Sequence, residues 1–178
     1  MLKPCANRMK IVRKYGIMNE TEEQPNMWKE KLNKIAYEES LYGEQINSGA
    51  SEKELEIFES KLQSECNATF PEEYKRILKT VNGIEFNGFV LYGVDQDLLD
   101  SRCNQPINGF IENNKIWHEN DWQKRYVFLG ESNISWYVYD LSTLKYCELD
   151  NPSGRQIAEF EDIDAMVEKV LTDALETV

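Results

Sequence analysis

The stretch from Ser51 to Asp95, SEKELEIFESKLQSECNATFPEEYKRILKTVNGIEFNGFVLYGVD, constrains the fold more than any other part of the chain. It reads as two capped helices, an Asn-Gly stop and the first strand of a sheet. Ser51 opens a capping box: its side chain can accept from the amide of Glu54, whose carboxylate reaches back to Ser51. Leu55, Phe58 and Leu62 follow at helical spacing and give this helix a buried stripe. Beyond the loop QSECNAT, Pro71 is expected at a first helical position, where a missing N–H breaks no intrahelical bond. Glu72 and Glu73 then sit where the helix dipole favours negative charge. Tyr74, Ile77, Leu78 and Val81 form the inward face. Asn82-Gly83 is expected to end this helix, because glycine readily takes the left-handed C-terminal geometry.

The flanking segments extend the pattern. Asn26 can cap a first helix over MWKEKLNKIAYEESLYG, with Trp28, Leu32, Ile35 and Ala36 on one face. EQINSGA reads as a loop. After Gly83 the period changes, and Phe89 to Tyr92 reads as a strand. The polar segment from Asp95 to Lys124 is expected to carry a short helix near Asp97 to Leu99 and a strand over Phe110 to Trp117. Further strands are expected at Arg125 to Leu129, Trp136 to Leu141 and Lys145 to Asp150, the last two as an antiparallel hairpin. Asn151-Pro152-Ser153-Gly154 is a turn cluster. A final helix runs from about Asp162 to Glu176. Helices at the ends around a run of strands indicate an α+β fold.

At 178 residues the chain suits one domain, placed at 26–178. No apolar run approaches the ~18 residues needed to span a bilayer, so no membrane role is expected. The formal net charge is −12, but residues 1–18 carry Lys3, Arg8, Lys10, Arg13 and Lys14 with no acid, leaving −17 on the remainder. Such a body repels phosphate backbones, which argues against nucleic acid and for a basic partner. The competing reading of the charge is solubility alone. Residues 1–25 lack the apolar core of a signal peptide. They read as a disordered extension, or as sequence upstream of the true start among Met1, Met9, Met18 and Met27. Cys5, Cys66, Cys103 and Cys147 lie far apart with no CxxC pair, which fits free thiols in a reducing cytosol and neither disulfides nor a metal site.

No catalytic constellation is legible. His118 is the single histidine, and Glu119, adjacent on an extended chain, would point away from it. A dyad of His118 with Cys103 or Cys147 has no support in the spacing. Phosphate-cradling glycine motifs are absent, and no cofactor is implied. The loop-rich middle instead combines acids with aromatics. Its candidate partner-binding residues are Asp95, Asp97, Asp100, Trp117, His118, Glu119, Asp121 and Trp122. Aromatic anchors inside an acidic rim suit a basic protein surface. The alternative places Trp117 and Trp122 in the sheet core.

Two blocks of the chain resemble the SUKH superfamily, also called the SMI1/KNR4 family, and in particular its small bacterial YrhA-like members. The first holds Ser51 and Glu54, then Phe70-Pro71 in place of the usual Leu-Pro, Tyr74 in the expected position and Asn82-Gly83. The second is FLGESNISWYVYDLSTLKYCELDNPSG, Phe128 to Gly154. There Glu131-Ser132-Asn133 departs from the usual Gly/Asp-rich turn. The resemblance covers about Met27 to Val178. It implies a bent antiparallel sheet flanked by N-terminal and C-terminal helices. It also implies a non-catalytic role, commonly that of an immunity protein against a secreted polymorphic toxin. The alternative it carries is a regulatory or scaffolding adaptor acting on endogenous partners. Ser51, Glu54, Pro71, Tyr74, Asn82 and Gly83 are explained by helix starts, packing and stops, so they are expected to be structural.

Overall fold

The structure, a computed structural model, describes residues 27–66, 70–100 and 103–177. The expected extension over residues 1–25 and the Asn26 cap lie outside the described residues. Helices α1 (Met27–Leu41), α2 (Glu52–Cys66) and α3 (Glu72–Thr80) lead into strands β1 (Ile84–Phe86) and β2 (Phe89–Leu91). Helix α4 (Phe110–Trp117) precedes β3 (Tyr126–Glu131), β4 (Ser135–Asp140), β5 (Lys145–Asp150) and β6 (Gln156–Phe160), and α5 (Ile163–Glu176) closes the fold. The six strands form one open sheet in sequential order, every neighbouring pair antiparallel. This is the α+β architecture that the order of elements indicates.

The capping box forms as the sequence predicts. Ser51 N–H donates to Glu54 Oε2 at 2.8 Å, and Glu54 N–H donates to Ser51 Oγ at 3.3 Å. Leu55, Phe58 and Leu62 are buried, Phe58 edge-on to Phe70 and Phe110. In α3, Tyr74 is fully buried, and its hydroxyl lies 2.7 Å from the Tyr92 carbonyl and 3.0 Å from that of Leu129. One donor is thus shared between β3 and the residue just past β2, fixing the helix to the sheet. Burial pushes this phenol well above its ordinary range.

Two boundary expectations are corrected. Pro71 is the cap before α3 and not its first helical residue: its ψ of 116° is extended, and its carbonyl accepts the Tyr74 N–H at 2.9 Å. At the other end, extended Val81 stops α3, two residues before Gly83. Gly83 does adopt a left-handed φ of 72°, but there it lets the chain pass Gly93, whose backbone nitrogen a Gly83 Cβ would approach to 3.0 Å. Asn82 is buried and works through its side chain, Oδ1 accepting the Val94 N–H at 2.7 Å.

The strand expected over Phe89 to Tyr92 is β2, whereas β1 and β6 escape the sequence reading. β1 and β2 form a tight hairpin, with Asn87 and Gly88 both at positive φ, the pattern of a type I′ turn. β6 adds the last edge of the sheet. Conversely, the expected strand over Phe110 to Trp117 is helix α4. Its first amides are satisfied from afar: Asp95 Oδ2 accepts from Ile111 and Oδ1 from Glu112, each at 2.9 Å. Asn114 then ties the helix to β3, its amide donating to the Phe128 carbonyl and accepting the Phe128 N–H, both at 2.8 Å.

α5 starts as predicted, with the Asp162 carboxylate accepting the Ala165 N–H at 2.8 Å. Ile163, Met166, Val167, Val170 and Leu171 are all buried. α1 lies against α5, joined where Trp28 Nε1 donates to Asp164 at 3.0 Å. Burying these apolar side chains, at ~1.5–3 kcal/mol each, is what holds the helices to the sheet.

Candidate functional site

The residues singled out in the middle of the chain do not form one surface. Asp95 is 1% exposed and occupied as the α4 cap, so the structure removes it from any exposed rim. Burial raises its carboxyl pKa, against the lowering effect of the Ile111 and Glu112 amides. Asp97 and Asp100 are exposed but held against α2, by Lys61 at 2.6 Å and Lys53 at 2.9 Å. Lys61, the partner of Asp97, lines an open groove between α2 and the short 3-10 helix Gln96–Leu98, together with Glu56, Ile57, Ser60, Ser64 and Leu98. Exposed pairs of this kind contribute ~0–1 kcal/mol each, so these acids remain available to compete for other cations.

The run from Trp117 to Trp122 gathers over β3 and β4. Trp117 is only partly buried and belongs to the core, as the alternative reading had it. Its ring stacks on Phe128 at 5.7 Å and meets Trp136 edge-on at 5.1 Å, while Nε1 donates to the Tyr92 hydroxyl at 3.0 Å. His118 caps α4, with Nε2 2.8 Å from the Tyr126 carbonyl. A carbonyl only accepts, so Nε2 carries the proton in this arrangement. That ring is an anchor between α4 and β3. Burial raises the pKa of both thiols weighed beside it, with the Asp140 carboxylate adding to it at Cys147 and Glu54 at Cys103.

Trp122 differs from the other two. It is 47% exposed, yet its inner edge is fixed, 6.1 Å from the Trp136 ring and 6.3 Å from that of Tyr126. Beneath it lies Gly154, at which a Cβ would come within 2.5 Å of Trp122 Cη2. Glu119 and Asp121 are exposed beside it in the chain, Asp121 pairing with Lys124 at 2.6 Å. That hydrogen bond, with the charge of Lys124, lowers the Asp121 carboxyl pKa. Glu112 and Ile116, four residues apart on α4, are exposed on one helical face that leads toward Glu119, and Ile116 is 56% exposed. The result is a small shelf: a braced, half-exposed indole with two exposed carboxylates, Glu119 and Asp121, close to it in the chain.

Trp122, Glu119 and Asp121, expected from the sequence as candidates, are exposed, and exposed Ile116 and the packed Gly154 have no sign in the sequence. Ile116 needed the helical period of α4 to be placed outward. Gly154 looked like an ordinary turn residue, and only the packed indole explains its missing side chain. Among the described residues no cluster of three or more His, Cys, Asp or Glu could hold a metal ion. No helix among them is long and apolar enough to cross a membrane.

Compared with known proteins, residues 49–168 match the family model described as SMI1 / KNR4 family (SUKH-1). That match takes in both sequence blocks and runs from the loop before α2 into α5. No curated protein matches the chain.

Proposed function

The chain belongs to the SMI1/KNR4 family (SUKH-1), and from that premise we infer that it is a non-catalytic protein-binding domain, an immunity protein that neutralises a cognate polymorphic toxin by direct binding. The family comprises immunity proteins and related domains and is generally non-catalytic. The observation that carries the finer reading is Trp122, an indole left half-exposed although it is packed on three sides. Exposed aromatics held rigid in this way lose little side-chain freedom on binding and serve as interface anchors.

Charge gives the direction of the contact. Glu119 and Asp121 are exposed within three residues of the indole in the chain, and the body beyond residue 18 carries −17. A basic toxin domain, such as a nuclease that grips phosphates, is drawn to this surface and docks with its cations where substrate phosphates would lie. The protein acts in the bacterial cytoplasm, where such a toxin would otherwise do damage.

Co-expression with the product of the adjacent toxin gene tests the proposal. The expected result is a purified complex and growth restored to cells producing the toxin. If no adjacent gene encodes a toxin, and neither complex nor rescue appears, the immunity role is wrong. Endogenous partners together with a toxin-independent deletion phenotype would favour the regulatory adaptor instead.

A further inference from the structure

Strand β6 ends the sheet. It pairs with β5 on one side, and none of residues 156–160 makes a backbone hydrogen bond on the other side among the described residues. Proteins usually blunt such an edge with lysine, proline or a covering segment, because the unpaired N–H and C=O groups are a template for another strand. The β6 sequence, QIAEF, contains neither lysine nor proline, and it leaves Ile157 51% exposed. One blunting device is present: the register shifts between Glu148 and Leu149, so Ile157 has no partner in β5. Ala158, Glu159 and Phe160 remain in regular register.

A second copy of this chain is a poor occupant. Antiparallel pairing of two β6 edges would bring Glu159 and Glu161 of both copies together, and each chain carries −12. A basic strand suits the edge better. Glu159 is exposed, and its ion pair to Lys145 is long at 3.5 Å. Acidic Glu161 follows the strand, against Arg155 at its start. We propose that the free edge of β6 accepts an extended segment of a protein partner, with Lys or Arg at alternating positions, as a seventh antiparallel or parallel strand. Main-chain bonds supply affinity in this mode and the alternating side chains supply specificity. Basic residues of the added strand lie beside Glu159, and its other face meets Ala158 and Phe160.

The proposal rests on the protein-binding reading, but the two can fail separately. Gly154, which supports Trp122, lies two residues before Gln156, so edge and shelf are neighbouring surfaces with different variants. The probe is a capped ten-residue peptide of alternating lysine and valine, titrated into the full-length protein and followed by backbone amide NMR. Shifts are expected at residues 156–160 and at their β5 partners Tyr146–Leu149, also in Trp122→Ala. Binding should weaken with salt and fall at least tenfold in Ile157→Lys/Glu159→Lys. If that double variant does not fold, Glu159→Lys alone, at an exposed position, should still weaken binding several-fold. A glutamate–valine peptide should not bind. Shifts that avoid residues 156–160, equal binding of the acidic peptide, or β6 resonances that broaden with protein concentration before peptide is added would each overturn the proposal. The last result would place a second copy on the edge.

Discussion

Trp122 lies across Gly154 so closely that a Cβ at residue 154 would meet the indole at 2.5 and 2.6 Å. The glycine is required twice, because its φ of 70° is also left-handed. The same contact that fixes the exposed ring thus depends on a turn 32 positions later in the sequence.

Gly154→Ala is therefore expected to destabilise the protein by about 1–2 kcal/mol from the backbone conformation, with a further loss from displacing the indole. Adding Trp122→Ala should recover the second part only. Urea unfolding of the two single variants and the double variant measures this coupling. Additive losses would show that ring and glycine are independent.

Asp95 should behave as a scaffold residue. Asp95→Ala leaves the Ile111 and Glu112 amides without their acceptor, one of them buried, at an expected loss of about 1–3 kcal/mol. The folded fraction should bind a partner as tightly as the unaltered protein does. Chemical denaturation with a binding titration checks both halves, and weaker binding at full stability would return Asp95 to the interface.

Asp140 makes stability depend on acid. Burial acts to raise its carboxyl pKa, but hydrogen bonds from Arg125 and Ser142 outweigh it and hold the group well below the usual aspartate range. Because the folded value is depressed, the contribution is complete above the unfolded pKa of about 3.9 and is lost as pH falls through the folded value. Glu54 acts in the same sense: burial raises it, and the Ser51 and Asp100 hydrogen bonds lower it by more. Asp140→Asn should lower stability at neutral pH and flatten its decline below about pH 4. Parallel acid limbs in the two proteins would contradict this assignment.

Legibility in the sequence followed the range of the interactions. The capping box of α2, the face of α3 and the cap of α5 rest on residues three or four apart, and their signals are local. α4 was misread because its cap, Asp95, stands 15 residues before Phe110 and its tie, Asn114, is to Phe128. Neither bond has a local sequence signature. The β1–β2 hairpin did have one, Asn87-Gly88, and β2 is legible, but β1, at three residues, is too short to show alternation. At the site, acids and aromatics were visible, whereas burial decided between them. It took Asp95 into the interior and Trp117 into the core, and left Trp122 half-exposed.

The affinity of the full-length protein for the product of the adjacent toxin gene, measured by calorimetry with and without Trp122→Ala, tests the central claim most directly. The account predicts a tight, salt-sensitive complex that loses about 2 kcal/mol or more on removal of the indole, as anchors of this type do, with a parallel loss of rescue from the toxin. A complex of unchanged affinity in Trp122→Ala would contradict it.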